Sequence, residues 1–115
     1  MLAFKYRFHG HGSLRYVYRN GVAKRSRFFT VKSTPNARRK ESRFAVVISK
    51  KVHKSAVGRN RARRRIYEII RHELPQLKGV YDVVIIISSG ESIAASYEEI
   101  REQITQLFTQ AGLYK

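Results

Sequence analysis

The sequence predicts an α+β fold: a two-layer sandwich with helices packed on a mixed four-stranded sheet, in the order α-β-β-β-α-β-α. Three observations predict it. Two segments, near residues 62–74 and 97–111, carry apolar residues at helical spacing. The stretches RFFTVK, RFAVVIS and VYDVVIIIS are β-branched and aromatic, as strands prefer. At 115 residues the chain makes one domain, 1–115, large enough to bury a modest core.

Residues 1–12, MLAFKYRFHGHG, have no clear period and read as a flexible or extended arm. The pair His9 and His11 makes a poor metal site, with no cysteine or acid beside it. Ser13 is placed to cap a short helix over 14–20, and Gly21 to end it in a left-handed turn. Leu14, Val17 and Tyr18 share one face of that helix. Two uses of the region stand open. The face packs on the core, or Tyr16 or Tyr18 stacks on an unpaired base with Arg15 and Arg19 on its phosphates.

Residues 27–32 read as a strand, and 33–42, STPNARRKES, as an exposed hairpin loop with three adjacent cations. Residues 43–49 are then the second strand of that hairpin or meander. Their apolar residues occupy both faces, which predicts a central place in the sheet. Residues 83–87 are apolar and β-branched throughout and predict a buried strand. Ser96 and Glu99 form an S-x-x-E capping box. Behind it Tyr97, Ile100, Ile104, Leu107, Phe108 and Ala111 share a face, and Gly112 ends the helix, whose expected task is to cover the sheet.

Between these lies the helix that dominates the sequence. Ser55 is the expected N-cap, and Ala62, Ile66, Ile69, Ile70 and Leu74 form one apolar stripe. Pro75 disfavours a helical conformation at Leu74. Gly58, in the first turn, costs about 1 kcal/mol relative to alanine and suits a close backbone approach. Asn60, Arg61 and Arg64 point away from the stripe, and Arg63 and Arg65 sit on its flanks. Arg59 falls in line with the core.

The net charge is +16, and it is unevenly spread. Residues 1–65 hold 20 Lys/Arg against one acid, Glu41, whereas residues 66–115 hold 4 against 7 acids. Such a field is neutralised by a polyanion, and counterion release from nucleic acid is the usual driving force. The arginines cluster at a helix start, where guanidinium forks and free N–H groups both suit phosphates. An anionic membrane suits the chain less, because the basic segments lack a Trp/Phe/Leu-rich face.

Other classes are excluded or disfavoured. Without cysteine there is no disulfide or thiolate metal site. The longest apolar run is far short of a membrane span, and the N-terminus lacks a signal-peptide core. A soluble, cytoplasmic protein is expected. A nuclease site of its own needs converging carboxylates for magnesium, or paired histidines with a lysine. Glu41 lies in a loop, Asp82 is the single aspartate, and His53 stands alone. No catalytic residue is expected in the chain, and any phosphodiester chemistry belongs to another molecule.

Ser49-Lys50-Lys51, followed by Ala56-Val57-Gly58-Arg59-Asn60-Arg61 and Arg63-Arg64-Arg65, resembles the protein component of bacterial ribonuclease P. That family is marked by a strand ending in S-K-K and an A-V-x-R-N-R segment opening a basic helix. The likeness runs over roughly residues 13–113. It implies an RNA-binding subunit that assists a catalytic RNA, with magnesium held mainly by that RNA, in removing the 5′ leader from precursor tRNA. No obligate protein partner is implied. It also implies a left-handed βαβ crossover, against the general right-handed rule.

By resemblance, Lys50, Lys51, Lys54, Arg59, Asn60, Arg61, Arg63, Arg64 and Arg65 take the positions that contact the catalytic RNA. Leu14, Tyr16, Tyr18, Phe28, Phe29 and Lys32 take the leader cleft. Two departures stand out: Leu14 replaces a common phenylalanine, and the gap between Lys51 and Ala56 is one residue longer than in many members. A structural RNA-binding protein of the ribosome and a general single-strand binder are the rival readings.

Overall fold

Val83, Val84 and Ile85 are wholly buried, so residues 83–87 need cover on both faces and a neighbour on both edges. The computed structural model, which describes residues 4–8 and 12–115, provides this. The run belongs to β4 (Tyr81–Ile87), the inner strand between β2 (Phe29–Pro35) and β3 (Arg43–Ile48). A short strand β1 (Val22–Arg25) completes the order β1-β2-β4-β3. β1–β2 and β2–β4 are antiparallel and β3–β4 is parallel, so the four-stranded mixed sheet is as expected.

The strand pairing differs from the hairpin expected of residues 27–49. β4 inserts between β2 and β3, and β3 is an outer strand rather than a central one. Its free side is met by Arg7, which bridges Phe44 after a 3-10 turn at Phe4–Tyr6. Part of the segment read as an arm is thus seated against the sheet, while residues 1–3 and 9–11, His9 and His11 among them, lie outside the described residues. Ser33 and Thr34 belong to β2 and are buried, so the loop begins only after Pro35. β1 supplies the remaining strand of the expected order, on a segment the sequence pattern does not single out: VAKR has no apolar alternation, and outer strands tolerate such exposure.

Alternation along the strands divides the sheet into two faces. Phe29, Val31, Phe44, Val46, Ile48, Val83, Ile85 and Ile87 form the core with α2 (Ala56–Glu73) and α4 (Tyr97–Gln110). Burying Ile66, Ile69 and Ile70 of α2 contributes about 1.5–3 kcal/mol each. The helix α1 (Gly12–Asn20) lies on the other face, where Val17 and Val84 are buried outside that core. The helices therefore occupy both faces rather than one.

Local chemistry sets the ends. Ser13 lies inside α1 rather than capping it. Gly21 is not left-handed; a Cβ there would press on the Val17 carbonyl oxygen, so its smallness is what matters. Ser55 caps α2 by accepting from the Gly58 N–H at 3.1 Å. Leu74 remains helical despite Pro75, its N–H still bonding the Ile70 carbonyl, and a 3-10 turn (Leu74–Gln76) follows with the proline in its first turn. A four-residue helix α3 (Glu91–Ala94) precedes Ser96, whose hydroxyl accepts from the Glu99 N–H at 3.1 Å. Gly112, with φ 72°, ends α4 as expected. β3, α2 and β4 form the parallel crossover for which the resemblance gives a left hand.

Candidate nucleic-acid interface

The basic residues of α2 fall into two groups by what their guanidiniums do. Arg59, on the core line, turns back: its Nη1 donates to the carbonyl oxygens of His53 and Lys54 at 2.9 and 2.8 Å. Arg65 reaches across to the α3–α4 link and donates to Ala95 O at 2.8 Å and Ile93 O at 3.4 Å. Arg63 donates to Asn60 Oδ1 at 2.7 Å. These three are half-buried and tie the structure together. Asn60, Arg61 and Arg64 are exposed, as the helical phase requires, and the Arg61 and Arg64 guanidiniums have no partner among the described residues.

The loop before α2 joins this face. It turns at Ser49, whose carbonyl accepts from the N–H groups of Val52 and His53. Lys50, Lys51 and Lys54 are all exposed. Gly58 lets the loop close, because a Cβ at that position would overlap the His53 ring. Arg59 fastens the same loop through its backbone. Lys50, Lys51, Lys54, Arg61 and Arg64 thus ride on one tethered unit, a geometry suited to a rigid row of phosphates.

A second surface lies on the α1 face of the sheet. A groove of about 550 Å³ is lined by Tyr16, residues 34–38, Arg43 and Asp82. Tyr16 is 59% exposed, an open aromatic at its edge. Beside it the Lys32 ammonium sits 5.2 Å from the Tyr18 ring centroid and donates to the Tyr18 carbonyl at 3.2 Å. Burial pushes the Tyr18 phenol up. Leu14 is half-buried.

Phe28 and Phe29 correct the expectation for the cleft. Both are buried in the core with α2 and α4, Phe29 completely, and present no ring to a base on the α1 side. For Phe29 the alternation of β2 decides this, since it points opposite to Thr30 and Lys32; Phe28 lies just before the strand and is buried in the same core.

The groove's floor was not foreseen. Arg43 donates to both Asp82 oxygens, Nε to Oδ1 at 3.0 Å and Nη2 to Oδ2 at 2.8 Å, with both side chains almost buried. Asn36 Nδ2 adds a bond to Asp82 Oδ2 at 2.8 Å, and Arg38 extends the rim. The β3–β4 register places Arg43 directly beside Asp82. A lone cation opening one strand and a lone acid near the start of another were the available signal, hidden by the hairpin expectation.

Asp82 and Glu41 both have cationic neighbours. Asp82 is taken up by Arg43 and Asn36, and Glu41 lies 3.7 Å from the Lys5 ammonium. Among the described residues no three His, Asp or Glu side chains converge. Among the described residues no helix is long and apolar enough to cross a membrane.

The fold and surfaces define a class: a small α+β protein with an exposed row of cations and a groove edged by one aromatic ring, surfaces suited to a polyanion. A family model described as ribonuclease P matches residues 2–112. The chain is 37% identical over 97 residues to the ribonuclease P protein component of Synechocystis sp., covering 84% of this chain and 77% of that one. It is 44% identical over 77 residues to that of Chloroflexus aurantiacus, covering 67% and 56%. The fold matches the RNase P protein of Staphylococcus aureus, with TM-score 0.85, 21% identity and coverage of 96% and 98%. It also matches that of Thermotoga maritima, with TM-score 0.80, 21% identity and coverage of 90% and 96%. The chain belongs to the ribonuclease P protein family, and so is an RNA-binding component of an endoribonuclease.

Proposed function

We propose that the chain serves as a grip and guide for a catalytic RNA that removes the 5′ leader from precursor tRNA. The outward cations of α2 and its preceding loop bind the catalytic RNA. The groove between α1 and the sheet holds the single-stranded leader, with Tyr16 as the open stacking surface and Lys32 and Arg38 on its phosphates. Magnesium is held mainly by the RNA; the acid in the groove, Asp82, is already taken up by Arg43 and Asn36.

The observation that carries this reading is the division of the basic helix. Arg59 and Arg65 are spent on backbone carbonyls, which leaves Arg61 and Arg64 outward, while Glu68, the acid nearest Arg64 on α2, is paired with Arg71. A surface built this way binds phosphate and leaves the chemistry to its partner. The ribosomal alternative draws no support from the relatives.

Equilibrium binding of the reconstituted complex to precursor and mature tRNA tests the division of labour. The protein should raise affinity for leader-bearing tRNA, and Tyr16→Ala should reduce that gain while leaving mature tRNA binding unchanged. An equal gain for both substrates would remove the leader from the groove.

A further inference from the structure

Tyr97 was expected on the apolar face of the last helix, yet its side chain is exposed. It is the first residue of α4, and it lines a shallow depression of about 320 Å³ with Arg64, Arg65 and Glu68 of α2. Its position is built, since Arg65 bonds Ile93 O and Ala95 O just before the helix and so fixes α4's start against α2.

The surroundings are cationic. Arg64 is exposed and has no partner among the described residues. Glu68, the one acid in the depression, is bonded by Arg71 through Nε at 3.2 and 3.3 Å, and this holds its carboxyl down at about 2. Its charge is therefore offset by a neighbour. Glu98 and Glu99 follow Tyr97 in α4 but do not line the depression. An open aromatic ring beside an unpaired arginine is the arrangement that takes an unpaired base on its face and the adjoining phosphate on its guanidinium.

We propose that Tyr97 is a base-stacking platform for the catalytic RNA, working with Arg64 and extending the RNA-binding face from α2 onto the start of α4. The inference rests on the reading of α2 as the face that meets that RNA. It names an RNA feature as well: an unpaired nucleotide opposite Tyr97, since a paired base cannot lay its face on a side chain.

The chain contains no tryptophan, so Tyr97→Trp creates a single fluorescent reporter. Its emission should be quenched when the complex's RNA subunit is added, and unchanged emission would overturn the proposal. In parallel, Tyr97→Phe should keep the affinity, while Tyr97→Leu, which keeps bulk but loses the ring, should lower it roughly 5-fold to 100-fold. Thermal melts confirm that both variants fold. If Tyr97→Leu binds like the parent while Arg61→Ala weakens, the platform is wrong and the α2 reading survives. If neither weakens, both fall.

Discussion

The Arg59 guanidinium lies 2.9 Å from the His53 carbonyl oxygen, so the arginine that heads the basic run grips the protein's own backbone. A second bond, to Lys54 O, makes the tether two-pointed. Arg59 thereby positions Lys50, Lys51 and Lys54, whereas Arg61, two residues on, faces outward.

The two arginines should respond differently to removal. Arg61→Ala should weaken RNA binding and lower the slope of log affinity against log salt by about one charge. It should leave amide exchange in residues 50–54 unchanged. Arg59→Ala should speed that exchange, because the loop loses its anchor. Equal exchange in both variants would place Arg59 among the phosphate ligands instead.

Gly58 and His53 should be energetically coupled. An alanine in a helix ordinarily gains up to about 1 kcal/mol over glycine. Here the new methyl meets the His53 ring, so Gly58→Ala alone should forfeit that gain or destabilise. Adding His53→Ala should restore it. Urea melts of the four proteins give the cycle, and simple additivity would contradict the contact.

The Arg43–Asp82 pair should be the most sensitive polar contact in the fold. Asp82→Ala leaves a buried guanidinium uncompensated and should cost about 3–5 kcal/mol in denaturant unfolding. The double replacement Arg43→Met with Asp82→Leu should cost much less. If the single change is mild, the pair is more solvated than its burial implies.

The Glu68 carboxyl should titrate near about 2, held down first by its hydrogen bond to Arg71. A depressed carboxylate pKa stabilises the fold above the unfolded value and loses that contribution as pH falls through the folded one. The effect is therefore complete at neutral pH and vanishes only in strong acid. Side-chain NMR titration should show the midpoint move up in Arg71→Ala; an unmoved midpoint would exclude Arg71 as the cause.

Periodicity carried much of the fold. The stripe of α2, the buried run of β4 and the Ser96 and Gly112 boundaries are all local patterns, and each is where the sequence places it. What escaped was non-local. Whether β3 pairs with β2 or lies beyond β4 depends on a crossover that no residue pattern encodes. That one error hid the Arg43–Asp82 floor, and it follows from reading adjacent strands as a hairpin. Helical phase likewise separated outward Arg61 and Arg64 from inward Arg59. It could not reveal that Arg59 and Arg65 spend their guanidiniums on backbone carbonyls, because those carbonyls lie outside α2, in the loop before it and at the end of α3. The resemblance places Phe28 and Phe29 in the cleft; strand alternation sends Phe29 to the other face, and Phe28, just before β2, packs in the same core.

The central claim is that this protein binds and orients while RNA does the chemistry. Cleavage of precursor tRNA at low magnesium, with RNA subunit alone, protein alone and both together, tests it directly. The protein alone should leave the substrate intact, the RNA alone should cleave poorly, and the pair should cleave efficiently at the leader junction. Cleavage by the protein alone, or no stimulation of the RNA, would contradict the account.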